Sequence, residues 1–317
     1  MELTDEHWPA TQSGRVTSQG IYMKKRKHRA RKLQLTNSGN LSLFFLGTGS
    51  AFSKSLNQNN LLIVKGQDHI LIDCGSKCSQ ALHELGIKVP DIKNFLITHS
   101  HADHIGGLEE VMMHGRYIAR KKPNIVITSE YEKILLEQSL MGGAAHSETG
   151  GLLKFKDFWN VTRPSKKRNY PRETWEVTMG SMNLKMPRTM HIPDRATSWE
   201  DSFWSCCVIV DDRVLYSSDT RYDPDLIVDY DNKFNLDVIF HDCQFFNGGV
   251  HASLEELSAL PERIKKKTIL MHYGDEWQRH RKQAKRAGFH SFAEQGASYS
   301  FEPVPSPVVP KIGLAAS

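Results

Sequence analysis

Short apolar runs alternate along the chain with polar, glycine-bearing stretches. "LSLFF" is the first such run, and it ends in the turn "LGTGS". "NLLIVKG" and "HILIDCG" follow as β-branched segments separated by turn residues, which predicts a strand pair. "SKCSQALHELG" carries apolar residues at helical spacing and closes on glycine, which predicts a helix. "NFLIT" reads as a buried strand, and "GGLEEVMMHGRYIARKK" as a helix after it. Further on, "SCCVIVDDRVLYSSD" predicts a hairpin turning at "DD", and "LDVIFHDC" and "KTILMHYG" predict two more buried strands. Strands interleave with helices, so the class is α/β with layered sheets. No internal repeat breaks this pattern. The organisation expected is a basic, flexible extension over 1–40, one domain over 41–301 with an insert at about 141–173, and a proline-rich tail over 302–317.

Composition narrows the picture. At 317 residues and 39% hydrophobic, the chain can bury a sizeable core. No apolar run approaches the ~20 residues that span a bilayer. The first residues, "MELTDEHWPATQ", lack the pattern of a secretory signal. Five cysteines offer no paired framework, and adjacent Cys206 and Cys207 lie in an apolar run as expected of buried free thiols. This suits a reducing cytoplasm. Cys74 and Cys78 can share one helix face, yet are not read as a metal site.

The net charge of +5 is local: "KKRKHRARK" (24–32) holds seven basic residues, which leaves the remainder at 5 − 7 = −2. Such a run can serve as a nucleic-acid arm or as a solvated extension, and the second reading is preferred. "KKRNYPR" (166–172) can attract an anionic substrate or solvate a loop.

The chemistry concentrates in "THSHADHIGG" (98–107). In extended backbone, residues i and i+2 point the same way, so His99 and His101 can grip one cation. Asp103 and His104 follow where the chain turns into a helix and can face a second cation. Nitrogen and carboxylate ligands without thiolate suit zinc, with manganese or iron as alternatives. The competing reading, polar residues capping a helix, does not explain four ligand types in H-x-H-x-D-H spacing between a strand and "GG".

That motif resembles the signature of the metallo-β-lactamase fold, an αββα sandwich, and the resemblance runs from about Leu41 to Phe301. "FLGTGSAF" looks like the family's opening strand and turn, and "LIDCG" supplies its supporting aspartate, Asp73. The resemblance implies three further ligands at strand ends. His191 in "PRTMHIPD" fits the third histidine, with His146 in "GGAAHSE" as a competitor. Asp219 in "VLYSSDTR" fits the bridging carboxylate, and His272 in "TILMHYGD" the last histidine. One metal would then take His99, His101, His191 and Asp219, and the other Asp103, His104, Asp219 and His272.

An aspartate bridge is similar to the phosphodiesterase and ribonuclease Z branch, where the lactamases commonly carry cysteine. "FHDCQFFNGGVHASLEEL" (240–257) resembles the stretch in which a carboxylate, here Asp242, holds a histidine, here His251. Such a pair is a general acid for a departing ribose oxygen, although His251 can equally just precede a helix capped by Ser253. Asp103 counts with these two among the candidate catalytic residues. Ribonuclease Z carries a long transfer-RNA arm between its third histidine and bridging aspartate, whereas only 27 residues separate His191 from Asp219. The chain is more similar to anti-Pycsar cyclic-nucleotide phosphodiesterases in "HSHADHIGGLEE", "HDCQ" and "GVHAS". This implies hydrolysis of cyclic CMP and cyclic UMP, two Zn2+ per chain (or Mn2+), and a homodimer in which the 141–173 insert reaches over the partner's site. Phe155, Phe158, Trp159 and Tyr170 in that insert are candidates for base stacking, although core or loop packing is the preferred reading for any single one. A nuclease acting on RNA ends and a non-catalytic nucleotide sponge stand as alternatives. No membrane partner is expected.

Overall fold

The computed structural model describes residues 15–16, 21–28 and 32–302. Among the described residues, seventeen strands form two sheets. The first holds β1 (Arg15–Val16), β2 (Ile21–Lys27), β3 (Leu41–Phe45), β4 (Leu61–Lys65), β5 (Asp68–Ile72), β6 (Asn94–Leu96), β7 (Asn124–Val126), β8 (Asn160–Thr162) and the last strand, β17 (Ala297–Phe301). Its order is β1-β2-β17-β3-β4-β5-β6-β7-β8. The second holds β9 (Ser165–Lys167), β10 (Thr174–Met179), β11 (Met182–Pro187), β12 (Val208–Val210), β13 (Val214–Tyr216), β14 (Val238–Asp242), β15 (Thr268–Met271) and β16 (Ser291–Phe292). These lie in reverse order, β16 to β9.

Period-two alternation explains why the sheets stack. In β12 to β15, Val208, Val210, Val214, Tyr216, Val238, Phe240, Ile269 and Met271 face the inner core between the sheets. Their neighbours Ile209, Leu215, Ile239 and Leu270 pack outward with residues of helices Pro224–Phe234 and Trp277–Ala287. Phe45 of the first sheet lies 4.9 Å from Phe240 and 6.3 Å from Tyr216 of the second. Apolar faces on both sides of the inner strands account for their near-continuous hydrophobic reading. The predicted hairpin turns at Asp211 and Asp212, both at positive φ (53° and 59°). Three residues, Asp211 to Arg213, join the paired Val210 and Val214, and aspartate tolerates the positive φ at both of its positions.

The elements predicted over 41–301 are present, and the layered α/β class holds. Two expectations change. Residues 21–27, expected within a flexible extension, form a strand antiparallel to β17, with Met23 opposite Phe301 and Lys27 opposite Ala297. Backbone pairing along an open sheet edge orders this basic run, and Lys25 pairs with Glu294. The segment 141–173, expected as an insert, instead supplies β8 to the first sheet and β9 to the second. Phe155, Phe158 and Trp159 are buried in the core, and Trp159 packs edge-on against Phe95 at 5.4 Å. Tyr170 packs on Tyr230 and Phe234. Arg172 of the second basic stretch is buried against Asp223. Residues 303–317 and most of 1–20 lie outside the described residues.

Phe240 bridges both sheets, so Phe240→Ala is expected to lower stability by about 3–5 kcal/mol, read by urea unfolding. A loss below ~1 kcal/mol would show that the sheets do not depend on this contact.

Candidate metal centre

Strands β11, β13, β14 and β15 run in one direction, since β12 is antiparallel to both β11 and β13 while β13, β14 and β15 are parallel. In the first sheet β5 and β6 are parallel. Asp73 follows β5, His99 and His101 follow β6, His191 follows β11, Asp219 follows β13, Asp242 ends β14, and His272 follows β15. Side chains scattered over 200 positions thus meet at carboxyl ends of strands, where open α/β sheets place their ligands.

Three residues of the site take left-handed backbone without being glycine: Asp73 (φ 65°), Ser218 (φ 51°) and His272 (φ 57°). Each costs ~1–3 kcal/mol that the surrounding fold must hold. Gly75 permits the closest approach. A Cβ there would lie 2.0 Å from the Asp103 carbonyl oxygen.

Two ligand groups result. In the first, His99 Nε2 is 3.1 Å from His101 Nδ1, His191 Nε2 is 3.2 Å from the same atom, and Asp219 Oδ2 lies 3.7 Å from His99 and 4.0 Å from His191. In the second, His104 Nε2 is 3.2 Å from both Asp103 and Asp219, and His272 Nε2 is 3.3 Å from both. Asp219 belongs to both groups, and every donor atom in a group lies within 4.8 Å of the others. His146 is exposed and apart from them, so the third histidine is His191. Cys74 and Cys78 are free, buried thiols outside either group.

The far nitrogens of the rings are tied. His104 Nδ1 donates to Asp73 at 2.7 Å, His191 Nδ1 donates to the Val250 carbonyl at 2.8 Å, and His99 Nδ1 lies 3.1 Å from Thr98 Oγ1. Each tie leaves Nε2 facing the cluster, which is how carboxylate and carbonyl partners orient metal-bound imidazoles. Asp73 also accepts from the Thr98 amide at 2.8 Å. Asn60 holds the loop from the other side, donating to the Asp103 carbonyl (3.1 Å) and accepting from Gly75 N (2.9 Å). Thr98 and Asn60 escaped sequence reasoning. The only available signal was a polar residue flanking an apolar run.

The donor set fits divalent cations. His104 Nε2 and Asp219 Oδ1 are buried and make no hydrogen bond. A proton can satisfy the close contacts among His99, His101 and His191 only pairwise, whereas one cation can satisfy all three. Burial holds His99 well below the ordinary histidine pKa and brings His191 down to about 4, so both rings are neutral donors. Burial opposes charging of His104 and His272, but the surrounding aspartates outweigh it and push both upward. Without a cation, then, these two rings must carry the positive charge that the buried carboxylates require.

A third cluster joins Asp219, Asp242, His251 and His272. Asp242 Oδ2 is already occupied, accepting from His251 Nδ1 at 2.7 Å and from the Thr220 amide at 3.1 Å. Its other oxygen lies 3.2 Å from His272 Nδ1. His251 is partly open to solvent, unlike His272. Burial lowers its pKa, Asp242 raises it, and the net shift is upward. This is a carboxylate-held imidazole, with its charged form favoured, beside the ligand groups. The Ser253–Glu256 capping box is also formed, so His251 both precedes a capped helix and faces the site.

The layered sheets and a buried His/Asp centre at their strand ends define a metallo-β-lactamase-fold protein. Among solved structures, the chain is similar to the metallo-β-lactamase-fold protein YhfI from Bacillus subtilis, with TM-score 0.61 and 17% identity over 82% of this chain and 99% of that one. It is likewise similar to a diphosphatase of the PhnP family, with TM-score 0.60 and 17% identity over 83% and 98%. The chain belongs to the anti-Pycsar protein Apyc1 family, whose profile matches residues 41–299. Relatives include the anti-Pycsar protein Apyc1 of Bacillus phage BSP38, 36% identical over 80% of this chain and 96% of its own length. That of Paenibacillus harenae is 36% identical over 73% and 88%. Among the described residues no helix is long and apolar enough to cross a membrane.

Asp73 receives His104 and fixes the turn into Thr98. Asp73→Asn is therefore expected to weaken divalent-ion affinity by roughly 10- to 100-fold, measured by competition with a chromophoric chelator. Unchanged affinity would show that the loop orients itself.

Proposed function

We propose that the protein is a dinuclear metal phosphodiesterase that hydrolyses 3′,5′-cyclic nucleotides to nucleoside 5′-monophosphates and so counters cyclic-nucleotide immune signalling inside a bacterial cell or a phage-infected host. Cyclic CMP and cyclic UMP are the first substrates expected, with cyclic AMP and cyclic GMP next. The observation that carries this reading is the pairing of two ligand groups sharing Asp219 with the His251–Asp242 couple beside them. The membership in the anti-Pycsar family supports it.

His99, His101, His191 and Asp219 would hold one ion, and Asp103, His104, Asp219 and His272 the other. Zn2+ is the expected ion and Mn2+ the alternative. Bound there, the ions supply Lewis acidity and lower the pKa of water. The chain's own residues do the rest. Asp219 spaces the two ligand groups, and Asp103 offers a carboxylate on the side of His104 and His272. Water oxygen attacks phosphorus, the P–O3′ bond breaks, His251 gives its proton to O3′, and one proton of the attacking water passes from the new phosphate to solvent. Asp242 holds the His251 ring through Nδ1, which leaves Nε2 as the donating atom, and stabilises its charged form. A ribose alkoxide leaves poorly without that proton.

Ribonuclease Z-like action is the second reading. Against it, residues 192–205 form a short loop folded onto the domain, with Phe203 N donating to the Ile192 carbonyl at 2.7 Å. A homodimer is proposed on family grounds.

Purified protein is expected to hold about two divalent ions per chain and to cleave cyclic CMP or cyclic UMP much faster than precursor transfer RNA. Trimming of RNA 3′ ends without cyclic-nucleotide turnover would reverse the two readings, and tight binding without turnover would mark a sponge. His251→Ala should lower turnover of cyclic nucleotides by roughly 10²–10⁴-fold with metal retained. The defect should shrink on a nitrophenyl phosphodiester, whose leaving group departs unprotonated. Equal losses on both substrates would make His251 a positioning residue.

A further inference from the structure

Among the described residues three phenylalanines are strongly exposed: Phe52, Phe203 and Phe246. Single exposed apolar residues are ordinary and need no explanation. Phe203, at 69% exposed, lies on the loop that follows His191, and that loop is pinned in place. The buried guanidinium of Arg188 donates to the carbonyls of Ser202 (3.0 Å), Phe203 (3.1 Å) and Ser205 (3.2 Å), and its carbon lies 4.9 Å over the Trp204 ring. Trp204 stacks on Tyr131 at 5.5 Å and 11°, and the Tyr131 hydroxyl is 3.1 Å from Ser100 Oγ, between His99 and His101. Asp201 caps the loop's first turn, accepting from the amides of Thr197 and Ser198 at 3.0 and 2.8 Å. Arg221 holds the Ala196 carbonyl. A loop that follows ligand His191 is thus locked to the metal-binding loop while presenting an aromatic ring to water.

We infer that Phe203 is the stacking platform for the nucleobase of the substrate, an inference that rests on the cyclic-nucleotide reading of the site. The His191 and His251 rings are 5.1 Å apart. If O3′ leaves toward His251, the ribose lies against these two rings, and its base extends toward the chain that follows His191. Phe203 N donates to the Ile192 carbonyl at 2.7 Å, which places that residue beside His191. The other exposed phenylalanines lie on other loops than the one that follows His191. Phe246 borders a cavity of about 100 Å3 with Phe245 and His280. Phe52 belongs to a turn tied to Tyr273, past His272, through Ser50 N (3.0 Å). Stacking tolerates any base, because each has a π-face. Phe203 would therefore set a preference for base-bearing substrates over base-free ones, with no choice among bases.

The test compares kcat/KM for cyclic CMP, cyclic AMP and a base-free ribose 3′,5′-cyclic phosphate, in the wild type, Phe203→Ala and Phe203→Trp, all metal-loaded. Wild type should prefer both nucleotides over the base-free ester. Phe203→Ala should reduce that preference by roughly 5- to 100-fold, with the loss falling on KM. Phe203→Trp should retain it. An equal loss on all three substrates would make the residue structural, and an unchanged preference would place the base elsewhere. A change of oligomeric state in Phe203→Ala, read by light scattering, would mark an interface; each of these overturns the inference. Wild type that cleaves only the nitrophenyl ester and no cyclic nucleotide would overturn the function proposed above and the stacking role with it. Full cyclic-nucleotide activity with no effect of Phe203→Ala would overturn the stacking role alone.

Discussion

One buried carboxylate sets the terms for the catalytic end of the molecule. Asp219 Oδ2 lies 3.2 Å from His104, 3.3 Å from His272, 3.7 Å from His99, 3.9 Å from His251 and 4.0 Å from His191. Asp219 is almost fully buried, and an ionised carboxylate removed from water must be compensated nearby. Five imidazoles within reach provide that compensation, by carrying charge themselves or by sharing a cation. Asp219 is held below the ordinary carboxylate range despite burial, because His272, His104 and His99 surround it. The arrangement commits the protein to a positive centre between its sheets.

Holding that centre requires rigid backbone. Left-handed Asp73, Ser218 and His272 sit where strands β5, β13 and β15 end. At each, the chain turns sharply so that a side chain faces the cluster instead of following the strand's alternation. The inner core of Phe45, Tyr216, Phe240 and Tyr299 lies beneath these turns and resists their relaxation. Core packing therefore acts on chemistry through backbone geometry, since a shift of β13 or β15 would move Asp219 or His272.

Asp242 links two tasks. One oxygen holds His251 and the other lies beside His272. Charge on either imidazole is felt by the other through this shared carboxylate. On the mechanism proposed above, ligand positioning and proton delivery are therefore coupled through Asp242. The loop after His191 shows a similar economy. Arg188 gathers its carbonyls while Trp204 and Tyr131 connect it to Ser100 in the metal-binding loop.

Much of this was legible in the chain because the ligands obey local rules. H-x-H-x-D-H after an apolar run states its chemistry within six positions, and His191, Asp219 and His272 follow the segments "MNLKM", "VLY" and "TILM". Short, near-continuous apolar runs likewise announced β12 to β15, whose two faces serve two cores. Local pattern failed where long-range pairing overrode composition. Lys24 to Lys27 read as a solvated run, yet as part of β2 they pair with β17 and join the sheet inside β1. Phe155, Phe158 and Trp159 could be named only as stacking candidates or core residues, and the fold buries all three. Phe203 carries no local signal that separates it from any loop aromatic. The sequence by itself determined the fold class and the donor chemistry, because strand periodicity and ligand type are properties of neighbouring residues. Only the tertiary structure decided that His191 and not His146 joins the cluster, that Asp219 belongs to both groups, and which aromatic ring stays in water. Those outcomes depend on distances between segments far apart in the chain, which packing alone sets.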